Sequence, residues 1–389
     1  MRTHTIPIPF SPATLPTTGG VVTIKGDDVF GALPSKNPTS GAAGIPYLDR
    51  LIFELTLTVA NASGSAVNIP ASKLADFLTG YQSSTPEFAA LDNVQLAAGK
   101  CLFVKVLDDT GAYGDTYAAT GSISDGASTT VTLRFERRWS TERRFTNGKR
   151  TRQFCPPARL FTGGGNFQLT LASFAAGVVL GSGVSVSAAT LKVSASVFYR
   201  AKHVVPAYHR LNTAALSTTS GDTVGGFTGQ KMLNLFLVTK NAQASNSART
   251  ATANELGSLT VTVAGVQVLN QAVASTVVSD YGNDVGQVNV PSSTAMEMVP
   301  LVRPEPDQGL VGIPTHYGQI YYKSTGTETD ASKFALFGIG VQAIDDASVQ
   351  AIQVRLGIPG SSKPRPVLDS RSDTVPPAAA DFLPRAVGG

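Results

Sequence analysis

Apolar and polar residues alternate along most of this chain, and the apolar positions are rich in Val, Ile, Leu and Phe. Such alternation marks half-buried strands on a pleated surface. It predicts strands over Val21–Lys25, Leu51–Val59, Cys101–Leu107, Thr129–Phe135 and Phe167–Leu171. The same pattern continues over Leu191–Tyr199, Met232–Thr239, Leu259–Val263 and Val349–Leu356. Between these runs lie Asn61-Ala62-Ser63-Gly64, Asp108-Asp109-Thr110-Gly111 and Ser124-Asp125-Gly126, whose residue types suit turns. Helix signals are few. The best runs from Lys73 to Tyr81, with Ser72 as N-cap and Leu74, Phe77 and Leu78 on one face. A shorter helix is expected after Thr85, with Pro86 first and Glu87 near its positive end. Strands must then pack on strands, so the chain reads as all-β, a sandwich or a barrel.

The periodicity breaks near residue 200. The strand ending at Tyr199 gives way to Arg200-Ala201-Lys202-His203 and Pro206, and the next clear strand begins near Lys231. A domain boundary is expected there, leaving two halves of about 190 residues, each the size of one elaborated β-sandwich. Leu55-Thr56-Leu57-Thr58-Val59-Ala60 is echoed by Leu259-Thr260-Val261-Thr262-Val263-Ala264, a likeness that alternating Thr and Val produces in any strand. From Pro359 onward, Pro364, Pro366, Pro376, Pro377 and Pro384 occur without strand periodicity, which predicts an extended or disordered tail.

Composition narrows the class. Of 389 residues 42% are hydrophobic and only 15% charged, below the roughly 25% usual for soluble domains. Disorder throughout is excluded, because such a chain can bury a large core. The apolar runs Phe174–Leu180 and Phe334–Val341 are too short for a membrane-spanning helix. Pro7, Pro9 and Pro12 interrupt the apolar core a secretory signal needs, so no export by that route is expected. Cys101 and Cys155 cannot build a disulfide scaffold or a four-ligand zinc site, and read as small core side chains.

The positive charge is local. Nine of the 31 basic residues lie between Arg134 and Arg159: Arg134, Arg137, Arg138, Arg143, Arg144, Lys149, Arg150, Arg152 and Arg159. Only Glu136 and Glu142 oppose them, so the remaining 22 basic and 25 acidic residues carry −3. Trp139, Phe135, Phe145 and Phe154 are interleaved, with Phe161 just beyond. Arginine with aromatic residues suits a protein interface, where guanidinium forks pair with carboxylates. A solvated loop, a lipid-facing patch and a single-strand nucleic-acid site follow in that order. Lying between two strand candidates, residues 134–159 read as an excursion at one end of the first sandwich.

No catalytic constellation stands out. His4, His203, His209 and His316 show no metal-binding spacing. Gly163-Gly164-Gly165 lacks the Lys-Ser or Lys-Thr of a phosphate loop. Asp27-Asp28, Asp108-Asp109 and Asp345-Asp346 lack the ligand spacing of a calcium loop and suit hairpin ends. The expectations are therefore no catalytic, cofactor or metal residues, and a structural protein rather than an enzyme.

Several segments together resemble a known family. They are Thr5-Ile6-Pro7-Ile8-Pro9-Phe10, Gly20-Val21-Val22-Thr23-Ile24 and above all the run Tyr47-Leu48-Asp49-Arg50-Leu51-Ile52-Phe53-Glu54-Leu55-Thr56-Leu57-Thr58-Val59 before the helix Ser72–Tyr81. The linker Val205-Pro206-Ala207-Tyr208, the strand from Met232 and a closing strand over Val349–Leu356 continue the likeness. The pattern resembles double jelly-roll major capsid proteins of tailless icosahedral phages, tectivirus- and corticovirus-like, in the lineage of the adenovirus hexon. It extends over most of residues 1–358 and departs in the Pro-rich tail.

The resemblance implies two consecutive eight-stranded jelly rolls: residues 1–200 with an N-terminal arm over 1–20, residues 201–358, and the tail 359–389. It implies a pseudo-hexagonal homotrimer tiling an icosahedral virion around an internal membrane, synthesised in the host cytoplasm. The implied partners are the chain itself, neighbouring capsomers, minor capsid and penton proteins and membrane lipid, without direct nucleic-acid binding. Gly111–Asp125 and Asn241–Asn254 would form outer towers, and the basic segment a subunit-interface or membrane-facing surface. The alternatives are a trimeric viral spike or receptor-binding protein, a carbohydrate-active β-sandwich enzyme and a nucleic-acid coating protein.

Overall fold

In the computed structural model the described residues are 4–8, 14–34, 36–41, 44–69, 71–95, 120–142, 150–151, 155–200, 207–215, 222–224, 230–239, 258–263, 265–272, 298–300, 313–314, 320–325, 334–343 and 346–356. The first half contains β1 (His4–Ile8), β2 (Gly20–Lys25), β3 (Ile45–Asn61), β4 (Val67–Asn68), β5 (Leu78–Ser84) and β6 (Asp92–Gln95). It continues with β7 (Ser122–Ile123), β8 (Ser128–Arg138), β9 (Thr141–Glu142), β10 (Arg150–Thr151), β11 (Asn166–Leu171) and β12 (Val184–Arg200). The second half contains β13 (Ala207–Ala215), β14 (Asp222–Val224), β15 (Gln230–Thr239), β16 (Ser258–Val263) and β17 (Val266–Ala272). Last come β18 (Met298–Pro300), β19 (Ile313–Pro314), β20 (Ile320–Thr325) and β21 (Phe334–Ala343). The helices are short: α1 (Gly26–Phe30), α2 (Ala71–Leu74) and α3 (Asp346–Leu356), with 3-10 turns at Ala75–Phe77 and Ala158–Phe161.

One four-stranded sheet runs β1-β12-β3-β8 and a second β14-β20-β16-β17. A nine-stranded sheet, ordered β18-β15-β21-β13-β6-β5-β11-β2 with β19 on β15, takes strands from both halves. The halves meet where β13 lies parallel to β6, at Asn212 and Asn93. Among the described residues the first half contributes four strands to its own sheet and four to the shared one, and the second half four and five, β19 being the fifth. The first-half core lies between the four-stranded sheet and the β6-β5-β11-β2 set. Phe53 of β3 meets Tyr81 of β5 edge to face at 6.3 Å and stacks on Phe135 of β8 at 5.0 Å. Alternation explains the layering: Leu51, Phe53, Leu55, Leu57 and Val59 are buried along β3, while Glu54, Thr56 and Thr58 face outward.

Three elements differ from the sequence pattern. The helix expected over Lys73–Tyr81 closes after Phe77, and Leu78–Ser84 is strand. Thr79 and Gly80 are poor helix formers, and β11 and β6 offer this segment backbone partners on both sides. No helix follows Thr85. The Phe88 N–H donates to the Thr85 carbonyl and hydroxyl at 3.2 and 3.0 Å, closing a turn before β6 begins. The closing strand expected over Val349–Leu356 is helix α3 instead. Its Gln, Ala, Arg and Leu residues are good helix formers, and Ile352 and Arg355, three apart, meet the first half on one face.

The remaining predicted first-half strands appear at or within β2, β3, β8, β11 and β12, and those from Met232 and Leu259 within β15 and β16. Cys101–Leu107, the Asp108 turn, Asn241–Asn254, most of Gly111–Asp125 and the tail 359–389 lie outside the described residues. Among the described residues no helix is long and apolar enough to cross a membrane.

Candidate functional site

The basic segment divides as it enters the fold. Its first five residues, Arg134–Arg138, are not an excursion but the end of β8, paired residue for residue with Arg50–Glu54 of β3. Period-two alternation therefore sends Arg134, Glu136 and Arg138 to one face and Phe135 and Arg137 to the other.

Arg137 points between the sheets and is fully buried. Its Nε and Nη2 donate to Oδ2 and Oδ1 of Asp92 on β6 at 3.0 and 2.8 Å. The Ser83 hydroxyl donates to Asp92 Oδ2 at 2.8 Å and accepts the Asp92 N–H at 3.1 Å. Trp139 packs under the Arg137 guanidinium, 4.3 Å from ring centroid to Cζ. The same carboxylate also acts electrostatically on a cation from the other half of the chain. Burial pushes Arg210 of β13 down from its ordinary pKa, and the Asp92 charge opposes that shift. Burial, with Asp92 adding to it, also holds the Tyr81 phenol well above its usual range. The expectation that Arg137 contacts a neighbour or a membrane is corrected: it is an internal ion pair.

On the outward face Glu136 is ringed by guanidinium groups. Arg50 Nη1 donates to its Oε1 and Oε2 at 3.3 and 3.0 Å. Arg134 and Arg138 approach it at 3.6 Å each. The Arg134 side chain is 38% exposed and that of Arg138 9%, so Arg134 is the member that reaches solvent. Arg159 turns back onto the fold, donating to the Leu33 carbonyl at 2.9 Å. Arg150 lies on β10, paired opposite Glu142 of β9. Arg143, Arg144, Lys149 and Arg152 lie outside the described residues.

The interleaved aromatics are core. Phe135, Trp139 and Phe161 are buried, and Trp139 lies 6.1 and 6.3 Å from Phe161 and Phe167. They offer no open platform for bases. Phe145 and Phe154 lie outside the described residues.

Two motifs met separately in the sequence meet in space. Asp27 accepts the Gly163 and Gly164 N–H groups at 2.8 and 3.3 Å, and these glycines take φ +79° and +112°, which favour Gly. Asp27 thus braces the glycine turn. Among the described residues no three metal-ligating side chains converge. Cys155 is buried. His4 lies edge to face with Tyr199 at 6.0 Å, His209 lies on β13, and His203, His316 and Cys101 are outside the described residues.

Sequence reasoning missed a contact set that joins the halves. Arg355 of α3 donates to Glu87 Oε1 and Oε2 at 2.6 and 3.1 Å, and to the carbonyls of Thr162 and Leu160 at 2.8 and 2.9 Å. Beside it Ile352 and Tyr208 are fully buried. The Tyr208 phenol is raised by burial first, then by the nearby phenol of Tyr47 and by Glu87. No spacing rule connects residues 87, 160, 208 and 355.

No family model and no curated protein matches the chain. Among solved structures it is similar to the major capsid protein of STIV, with TM-score 0.56 at 11% identity, over 90% of this chain and 99% of that one. A second match is to the atomic structure of Sulfolobus Turreted Icosahedral Virus, with TM-score 0.52 at 11% identity over 91% and 96%. The major capsid protein P2 of bacteriophage PM2 aligns at 10% identity over 89% and 98%, with TM-score 0.47. By the first two of these matches the fold is an all-β double jelly roll.

Proposed function

We propose that this protein is a structural coat subunit, a major capsid protein whose copies assemble into the shell of an icosahedral virion. The observation that carries the reading is the span of the fold match: 90% of this chain against 99% of a viral capsid protein. Residues 1–200 and 201–358 are read as the two rolls, with 359–389 as a tail.

The finer reading is a homotrimer with a pseudo-hexagonal outline, since six jelly rolls in a ring match a lattice position of sixfold appearance. Minor capsid and penton proteins and an internal membrane are its further partners. In the basic segment, Arg134, Arg138, Arg143, Arg144, Lys149, Arg150, Arg152 and Arg159 remain the proposed subunit or membrane contacts, without Arg137. Low charge supports lateral packing, because charged residues are depleted at interface cores.

The test is mass in solution with electron microscopy of the purified full-length chain. A species of about three times the 40.4 kDa chain mass, with a hexagonal outline, is the expected result. A monomer under all assembly conditions overturns the reading.

A further inference from the structure

Helix α3 delivers the C-terminal tail to one end of an edge strand. Arg355, one residue before the end of α3, donates to the Leu160 and Thr162 carbonyls at 2.9 and 2.8 Å. The chain beyond Thr162 runs through Gly163 and Gly164, held by Asp27, to Gly165, whose carbonyl accepts the Gly26 N–H at 2.9 Å. Asn166 then pairs with Lys25, the last residue of β2. Residues 357–389 thus start within an arginine side chain's length of the turn that closes beside β2. That strand is the outermost of the nine-stranded sheet. β11 pairs with it in unbroken register from Gly20 to Lys25, and among the described residues no strand lies on its other side. Alternate residues of an edge strand turn their N–H and C=O groups away from the sheet. Proline and charge are the usual protection of such an edge. Gly20-Val21-Val22-Thr23-Ile24 has neither, and Val21 is 60% exposed.

We infer that the tail returns along this edge, with Val367–Val375 pairing antiparallel to β2 and extending the nine-stranded sheet by one strand. Composition selects the segment. It is the longest run without proline after Pro359, and proline cannot donate to a ladder. Reach allows it: the ten residues 357–366 extend to about 33 Å, more than the roughly 20 Å length of a six-residue strand. The point of departure sets the direction. A chain arriving at the Lys25 end and running toward Gly20 is antiparallel to β2, so it needs no crossover connection. Tethering also gives the tail an effective concentration that a free partner lacks. The added strand would pair the outward backbone groups, cover Val21 and close an edge through which copies could otherwise join sheet to sheet. This pairing does not depend on the coat-subunit reading, because every contact lies within one chain.

The test is amide hydrogen exchange of the full-length chain, read by mass spectrometry on peptides covering residues 20–25 and 367–375 at two protein concentrations. Asp369→Pro combined with Ser372→Pro puts proline at one odd and one even position, so a ladder N–H is removed whichever set faces β2. Ala379→Pro, in the next proline-free run, is the control, and circular dichroism checks folding. We expect the amides of 367–375 to exchange at least about tenfold slower in the wild-type chain than the same amides in the double variant. The β2 peptide should lose protection in the double variant as well, and the control should change neither. Wild-type exchange over 367–375 as fast as over 385–389 overturns the pairing, whether or not the variants fold. So does β2 protection unmoved by the double variant, or lost equally in Ala379→Pro. Protection that disappears on dilution assigns the strand to the tail of a second copy and overturns the pairing within one chain.

Discussion

Asp92 occupies a position where a lone carboxylate would be intolerable, fully buried between two sheets. It is held there by the Arg137 fork and the Ser83 hydroxyl. Removing one member of such a pair leaves an uncompensated charge, which costs about 3–5 kcal/mol, whereas replacing both by apolar groups is often neutral. Arg137→Met should therefore lower stability by about that amount in urea unfolding, and Arg137→Met with Asp92→Leu should recover most of it. Equal losses in the single and double variants would show that the pair contributes through packing alone. The phenols of Tyr47 and Tyr208 are buried, with no hydrogen-bond partner among the described residues, and burial raises both from the ordinary 10.0. The folded state thus binds those protons more tightly than the unfolded chain. Their contribution is complete below pH 10.0 and is lost as pH rises above it. Tyr208→Phe should leave stability at pH 7 near wild type and move the alkaline unfolding midpoint upward, as followed by circular dichroism.

At the scale of elements, β8 and α3 show what alternation can and cannot report. The strand over Thr129–Phe135 was readable because Val131, Leu133 and Phe135 face the core in strict alternation. Its extension to Arg138 was hidden by charge: a run of arginines reads as solvated, and only the partners Asp92 and Glu136 allow those side chains to stay in a strand. In α3 the residues Val349, Ile352 and Val354 carry β-propensity, yet Val354 is 82% exposed while Ile352 is buried. A helix satisfies its own backbone, so one buried side chain and one guanidinium suffice to dock it. Ile352→Ala should cost about 2–4 kcal/mol by the cavity left against the first half. Trypsin should then cut at Arg355 faster than in the wild-type chain, and an unchanged cleavage rate would mean that α3 is held elsewhere.

At the scale of the whole molecule, the nine-stranded sheet matters most. It joins β13 to β6 at one parallel register pair, Asn212 with Asn93. Arg210 and Asp92 lie two residues and one residue from that pair, and Arg355 closes on Glu87. The two halves that the sequence break near 200 separates are thus tied by a shared sheet, a buried charge and a helix. The stretch from Arg200 to Lys231 that the sequence leaves without a clear strand contains β13 and β14, and β13 is the strand that joins the halves.

What the sequence determined by itself was the class of structure and the place of the charge. Period-two alternation is a local property that survives without knowledge of partners, so five of the first-half strands, β15, β16 and the all-β architecture could be read from it. The net charge of residues 134–159 could also be counted in advance. Only the tertiary structure decided what each of those charges does. Arg134 and Phe135, adjacent on β8, go to opposite faces while Phe135 and Arg137, two apart, share one, and Arg137 stays in the core because Asp92, 45 residues away, arrives between the same sheets. Contacts of that kind depend on chain paths brought together by packing, which no spacing along the chain records.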